Sequence, residues 1–342
     1  MRAMVVRRYG PPENFEWREW PEPAPKPGEC LVRVRAVGIN FADLLQRMGI
    51  YPGTPKPPFI PGFELAGTVE RAPDGSGLKA DDRVVAMTRF NAYVELAACP
   101  VEGTFKIPDT LSFEEAVAIP VNYLTAYHSM FEMGNLRAGD RVLIHGAAGG
   151  VGVAAVQLAK ARSLVTFGTA GPSKQDFLRK IGVDHPIDYS REDFVNAVRR
   201  AAPAGIEMAL DPIGGKSWAK SLRCLGTMGR LVVFGFSAAA GPSGKRSLPR
   251  AAKAFAQMPR ISPLKLMENN QAVIGVHLGR MHGREAVMRR EMHEILAMYT
   301  AGQIRPVVGK TFPLDQAAAA HRYIHDRQNV GKVVLTVGPH LG

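Results

Sequence analysis

Residues 141–152 read RVLIHGAAGGVG. The apolar run 141–145 has strand character, a glycine-rich turn follows, and residues 151–161 (VGVAAVQLAKA) carry the wide apolar face of a packed helix. A strand running directly into such a turn and then a helix is the context that a dinucleotide-binding fingerprint requires. Gly149 lets the backbone approach a pyrophosphate and Gly152 lets the helix pack closely on its strand. The unpaired amides at the helix start then face the phosphates. Ala147 stands where the first glycine of the standard pattern would be, so the match is A-x-G-x-x-G. The competing reading is a plain structural turn.

Downstream, residues 164–167 form the next strand and lead into FGTAGPSK at 167–174. Enzymes that use NAD carry an acidic residue about 20 residues beyond the loop start; no carboxylate occurs in this stretch. Ser173 and Lys174 can instead hydrogen-bond and neutralise a ribose 2′-phosphate, which points to NADPH. The competing reading of Lys174 is a solvated lysine at the start of a helix over 174–181. Strands follow at 206–210 and 230–234. Their alternation with helices implies right-handed crossovers and a parallel sheet. A basic stretch at 238–270 interrupts that order, with Lys245, Arg246, Arg250, Lys253, Arg260 and Lys265 and no acidic residue before Glu268. The pattern resumes with a strand at 272–277, a long helix at 284–301 and a last strand at 333–337.

Upstream, the first 100 residues have a different texture. Short alternating strands at 30–37, 64–69, 83–87 and 92–97 are punctuated by proline and glycine, as in an all-β barrel. Ser112 and Glu115 form a capping-box signature where the helical alternation begins. The chain has 342 residues with 35 glycines and 26 prolines. That length suits about two domains. No stretch suits a signal peptide, and no run of about 18 apolar residues suits a membrane span. Cys30, Cys99 and Cys224 are far apart, which fits a reducing cytoplasm better than a disulfide framework. The net charge of +12 is compatible with a nucleic-acid, membrane or phosphorylated partner. It is equally compatible with a basic soluble enzyme, and no nucleic-acid-binding motif accompanies it.

HGAAGGVGVAAVQLAK resembles the zinc-independent quinone oxidoreductase branch of the medium-chain dehydrogenase/reductase superfamily. So do NFADLLQRMGIYP at 40–52, PGFELAG at 61–67, EEAVAIPVNYLTAYHSM at 114–130, FGTAGPSK, HPIDY at 185–189, DPIGG at 211–215 and NVGKVVL at 329–335. The later segments, with GVHLG at 275–279, are most similar to the vesicle amine transport protein (synaptic vesicle membrane protein) branch. The resemblance implies an α/β chain in which a Rossmann doubly wound parallel sheet (123–278) is inserted into a GroES-like β-barrel substrate domain (1–122 and 279–342). It implies that Thr125, Ala148, Gly149, Gly150, Val151 and Gly152 hold the phosphates and nicotinamide. Thr169, Ser173, Lys174 and Tyr189 would surround the 2′-phosphate, although this loop is one residue shorter than in bacterial quinone reductases. Phe234, Gly235, His277, Leu278, Gly279, Asn329 and Lys332 would line the rest of the cofactor channel.

Zinc alcohol dehydrogenases of the superfamily ligate their metal through a GHE segment and cysteines; here the segment is Gly62-Phe63-Glu64 and residues 38–45 hold no cysteine. We therefore expect no metal, with Glu64 a structural acceptor; His277 and His282 have no partners that would make a site. Without a Lewis acid, a conjugated acceptor such as a quinone or enone is a better hydride acceptor than a simple ketone. The family pattern sets Asn40 and Tyr51 beside the substrate as catalytic candidates, Tyr51 as donor and Asn40 to orient substrate or nicotinamide. Asn122 is a weaker pocket candidate. The alternatives are a pocket-wall aromatic for Tyr51 and a loop-fixing amide for Asn40. The rival function is a nucleotide-binding regulatory or membrane-associated module, its basic insertion meeting an anionic membrane; the insertion is otherwise a disordered or dimer-covering loop. A homodimer through the strand at 272–277 is expected from the family.

Overall fold

The computed structural model describes residues 1–240, 248–281 and 283–338. Lys245 and Arg246 of the basic stretch, and His282, lie outside the described residues. The chain opens with β1 (Arg2–Val6), β2 (Phe15–Glu19), β3 (Glu29–Ile39), α1 (Phe41–Met48), β4 (Glu64–Arg71), β5 (Arg83–Met87), β6 (Leu96–Pro100) and β7 (Thr104–Lys106). Two short helices, α2 (Phe113–Ala116) and α3 (Pro120–Tyr127), lead into β8 (Arg141–His145), α4 (Gly150–Ala161), β9 (Val165–Ala170), α5 (Gln175–Lys180), β10 (His185–Asp188), α6 (Phe194–Ala201), β11 (Ile206–Asp211), α7 (Lys216–Cys224) and β12 (Leu225–Val233). Then come α8 (Leu248–Ala256), α9 (Pro263–Asn269), β13 (Ala272–Gly275), α10 (Glu285–Thr300), β14 (Val308–Pro313), α11 (Ala317–His325) and β15 (Lys332–Thr336).

Six strands form one parallel sheet in the order β10-β9-β8-β11-β12-β13. Counted from β8, this is the 3-2-1-4-5-6 order of a Rossmann sheet, with its switch point between β8 and β11. The other large sheet takes β14 and β15 from the end of the chain and pairs β15 antiparallel with β3, so that both chain ends build the GroES-like barrel. One apolar cluster joins the two sheets: Ala36, Ala66 and Val85 of the barrel share it with Val142, Ile144 and Met208, and Tyr123, Leu124 and Met130 pack between them. Among the described residues no helix is long and apolar enough to cross a membrane.

Several expected boundaries move. Residues 92–94 are buried but are not a strand; Met4 N–H donates to the Tyr93 carbonyl (2.9 Å), and the pairing strand starts at Leu96. The second Rossmann strand runs to Ala170, because β10 pairs with it to the register Asp188↔Ala170. Pro172 opens a short 3₁₀ turn, and α5 begins only at Gln175. Ser112 and Glu115 do cap each other, the Ser112 hydroxyl accepting from Glu115 N–H at 3.1 Å. The helix so capped is a single turn. In its described part the basic insertion is helical, with Pro263 at the first position of α9, which fixes its entry dihedral.

A buried cation braces the barrel. Arg47 on α1 is fully enclosed; it donates to the Gly10 carbonyl, to His321 Nδ1 (3.3 Å) and to His325 Nε2 (2.7 Å), both from α11. His321 Nε2 meets the Tyr93 hydroxyl at 3.0 Å. Both rings accept from Arg47 only as neutral imidazoles. Burial and the Arg47 guanidinium push His325 down to about 4, and burial and Arg47 hold His321 well below its usual value. The unfolded chain, with ordinary histidines near 6.5, therefore binds more protons across that window, and stability falls as pH drops from about 6.5 towards 4. The melting temperature is expected to fall over this range, and His325→Gln should flatten the fall. An unchanged pH dependence in that variant would show that the histidines do not control it.

Candidate functional site

Most of the expected cofactor residues gather at the C-terminal ends of the parallel strands β8, β9, β10, β12 and β13, while Thr125 comes from α3, Asn329 lies just before β15 and Lys332 at its start. The 12-residue α4 helix starts at Gly150, capped by Gly149, and its first three amides, those of Gly150, Val151 and Gly152, lack helical acceptors. A side chain on Gly152 would run into the Gly146 carbonyl and stand 2.6 Å from Ala147 Cα, so the close packing of helix on loop needs glycine. Asn122 lies over Gly150, where an added Cβ would meet its amide nitrogen at 2.6 Å. Thr125 follows one turn later on the same helix and is buried. These features fit a pyrophosphate: an open helix start, glycines at the approach, and a polar amide beside it.

The loop is held from below by a chain of buried polar groups. Asp211 accepts from Ile213 N–H (2.7 Å), Ser217 (2.6 Å) and Ser221 (2.8 Å), and Ser221 meets His145 Nε2 at 2.9 Å. His145 Nδ1 in turn meets the Thr169 hydroxyl at 3.1 Å, and that hydroxyl also accepts from Gly146 N–H (3.3 Å). Thr169 thus differs from the sequence expectation: its hydroxyl is buried in the loop's support. Of the other residues expected around a 2′-phosphate, Ser173 is exposed, Lys174 is half-buried, and Tyr189 is 49% exposed and approaches Gly171; together they form an outer rim. Lys174 Nζ donates to the Asn329 carbonyl at 2.5 Å, and burial together with the nearby Arg327 pushes its ammonium below the usual lysine value. Asn329 so far contributes its backbone.

The segment 329–332 crosses from this rim to the barrel. Gly331 N–H donates to the Ala148 carbonyl (2.8 Å), and Gly331 bridges Gly149. Lys332 is the second correction. It does not line a channel; its ammonium is buried, donating to Asn40 Oδ1 (2.7 Å) and to Glu64 Oε1. Asn40 Nδ2 donates to the same Glu64 oxygen at 2.7 Å, and Glu64 Oε2 accepts from Val121 N–H at 2.8 Å. Asn40 is therefore committed inward on both ends of its amide, as the loop-fixing alternative has it, and Glu64 is the structural acceptor expected of it. Asp43 sits beside them with one carboxyl oxygen unpartnered, and burial raises it to about 8.

Tyr51 faces the opposite wall. Its hydroxyl lies 3.3 Å from His277 Nε2, and its ring packs edge-on against Phe63, the residue in place of the zinc-binding histidine. His277, Leu278 and Gly279 follow β13, and Phe234 and Gly235 follow β12, with Gly235 held close to Pro212. Among the described residues, no group of three or more His, Cys, Asp or Glu side chains could hold a metal ion. A surface groove of about 1130 Å³ at Trp17, Trp20 and Pro313 shares no residue with this cleft. Sequence reasoning missed the Arg47–His321–His325 brace and the Asp43 carboxyl; the NFAD segment carried Asp43 in plain view, but nothing local marks it as buried.

A barrel and a Rossmann sheet sharing a cleft at the strand ends define a two-domain dehydrogenase or reductase. The chain matches the alcohol dehydrogenase GroES-like domain over residues 26–129 and the zinc-binding dehydrogenase model over 181–335. It is 40% identical over 344 residues to the rat synaptic vesicle membrane protein VAT-1 homolog, covering 99% of this chain and 85% of that protein. The human VAT-1 homolog-like structure superposes with a TM-score of 0.86 at 34% identity, covering 99% of this chain and 98% of that one. Escherichia coli quinone oxidoreductase, solved with NADPH, also gives 0.86, at 27% identity over 98% of this chain and 100% of that one. The chain belongs to the medium-chain dehydrogenase/reductase superfamily, in the zinc-independent branch that includes the VAT-1 homologues.

Removing one partner of the Glu64–Lys332 pair strands the other in a dry site. Lys332→Met is expected to cost about 3–5 kcal/mol in urea unfolding. Glu64→Gln combined with Lys332→Met should cost clearly less than the sum of the two single changes; additive costs would show that the pair does not act as one unit.

Proposed function

We propose that this protein is a cytoplasmic NADPH-dependent oxidoreductase that reduces quinones or α,β-unsaturated carbonyls, with residues 123–278 as its cofactor domain. The observation that carries the reading is the open start of α4 at Gly149–Gly152 next to a rim of Ser173, Lys174 and Tyr189 in a stretch, 167–174, without a carboxylate. When bound, the nicotinamide supplies a hydride to the β-carbon of the acceptor. The amides of Gly150, Val151 and Gly152 hold the pyrophosphate, with Thr125 and Asn122 beside it. Lys174 and Ser173 hold the 2′-phosphate and Tyr189 covers the adenosine side. Phe234, Gly235, Leu278 and Gly279 wall the nicotinamide side, while His277, expected among them, is assigned instead to Tyr51, whose hydroxyl it meets. Tyr51 donates its phenol proton as negative charge develops on the acceptor oxygen; burial keeps that phenol above its ordinary value and so protonated. Asn40, fixed by Lys332 and Glu64, sets the pocket floor and does not itself take the substrate.

Calorimetry is expected to show NADPH binding at least about tenfold tighter than NADH, and Lys174→Ala should erase about 10–100-fold of NADPH affinity, the worth of a charge-assisted phosphate contact. Equal affinity for both dinucleotides would overturn the cofactor assignment. NADPH oxidation with an ortho-quinone or an enone is the activity test. Tight NADPH binding without turnover across a broad acceptor panel would instead favour the regulatory module.

A second reading concerns assembly. Leu264 and Met267 on α9 are 66% and 69% exposed, with Phe255 and Ile261 near them in sequence, and β13 is an edge strand with one side of its backbone unpaired. A long apolar surface beside an open edge favours a second copy of the chain, paired across β13 as a homodimer. Light scattering should give the dimer mass, and Leu264→Asp with Met267→Asp should lower it. A monomer that sediments with anionic vesicles in a salt-sensitive way would assign the surface to a membrane instead.

A further inference from the structure

Tyr51 belongs to the barrel side of the cleft and His277 to the end of the parallel sheet, yet their side chains meet. The phenol oxygen lies 3.3 Å from His277 Nε2 and the ring centroids are 5.7 Å apart. Tyr51 is half-buried, whereas His277 is exposed to solvent. Gly279 keeps the space beside both open: a Cβ there would stand 3.5 Å from His277 Nδ1 and 3.6 Å from the Tyr51 hydroxyl. The arrangement places a two-nitrogen ring between a sheltered phenol and bulk water.

We propose that His277 returns the proton that Tyr51 gives up, acting as a relay between solvent and the phenol. The inference rests on Tyr51 being the proton donor of the proposed reduction. In each turnover the acceptor gains a hydride at its β-carbon and the resulting enolate takes a proton from the Tyr51 hydroxyl. The phenolate then takes the Nε2 proton of His277 while Nδ1 takes one from water, which leaves the ring neutral in its other tautomer; proton exchange of the exposed ring with water restores Nε2–H before the next turnover, and the net uptake is one proton from solvent. This route needs no imidazolium. It agrees with the surroundings of His277, where burial and the neighbouring Arg280 and Arg89 hold the ring below the usual histidine value. It also needs Nε2–H to donate to the phenol oxygen, which leaves the Tyr51 proton free to point at substrate.

The test uses the full chain with NADPH and an enone. Tyr51→Phe is expected to lower kcat by about 10²-fold, the ordinary worth of a general acid. His277→Gln keeps a side-chain N–H but has no second nitrogen to reload it. It should lower kcat about tenfold or more, leave KM and NADPH affinity within about twofold, and enlarge the solvent deuterium isotope effect. Added imidazole should restore part of the activity of His277→Ala. Without substrate, ultraviolet titration of the phenol should move to higher pH in His277→Phe, because a donor to the phenolate has been lost. Full activity in Tyr51→Phe overturns the donor role and the relay together. Impaired Tyr51→Phe with normal kcat in His277→Gln overturns the relay alone, as does a loss in His277→Gln that falls on NADPH affinity, goes without an isotope change or resists imidazole rescue. An unmoved phenol titration removes the donated hydrogen bond and with it the relay.

Discussion

The carboxylate of Glu64 is where the stretches of chain that border the candidate site are tied together. It accepts from three donors that come from three separate stretches of chain: the Asn40 amide at the head of α1, the Lys332 ammonium at the start of β15, and the Val121 N–H in the first turn of α3. Each stretch goes on to a different part of the cleft. Asn40 starts the helix that leads to Tyr51, Lys332 follows the Gly331 contact with the glycine loop, and Val121 precedes Asn122 and Thr125. The strand beneath makes room for the pair. Gly38 on β3 lies so close that a Cβ would meet Glu64 Oε1 at 2.6 Å and Lys332 Cε at 2.7 Å. A buried ion pair contributes little net stability after its desolvation. What it does here is geometric: an apolar core of the same volume would tolerate sliding among the three stretches, whereas a carboxylate with three fixed donors accepts one arrangement.

The Rossmann side is fixed on the same logic by Asp211. Its carboxylate collects the turn after β11 and two serines of α7, and the contact passes through His145 to Thr169 and the amide of Gly146. The start of the glycine loop is thereby fastened to the ends of three neighbouring strands, β8, β9 and β11. A loop that must present bare amides to a phosphate cannot use those amides to hold itself in place, so the holding is done by side chains on its buried face.

Local features of the chain were legible and distant pairings were not. The strand-glycine-helix run at 141–161, the absence of an acid at 167–174 and the alternation that gives the parallel sheet all depend on near neighbours in sequence, and the fold follows them. The expectation for Lys332 failed because its partner lies 268 residues away, and nothing near NVGKVVL says that the lysine turns inward. Thr169 was placed at the rim by the family resemblance alone, and its apolar run gives no sign that pairing with β10 carries the second strand three residues further, to Ala170. The basic insertion looked irregular because its apolar residues are divided between inside and outside: Ala254 is buried and Phe255 packs on Phe236, whereas Leu264 and Met267 point outward.

For the proton donor of the proposed reduction, the electrostatics around Tyr51 favour a phenol over a carboxylic acid. Burial raises Asp43 to about 8, so the carboxyl nearest Asn40 is held largely neutral at physiological pH, and Glu64 is spent on Lys332. Tyr51 is raised by its own burial and further by Asp43, while Arg89 and Arg280 act against both. The phenol is thereby held in its protonated form, but it sits near two cations that would lower the cost of brief negative charge at its oxygen. A carboxylic acid in the same place would be ionised beside those cations before any substrate arrived, its proton gone to solvent. The residue that can hold a proton until it is needed, and tolerate giving it up, is the one whose ordinary acidity is weak and whose surroundings are positive.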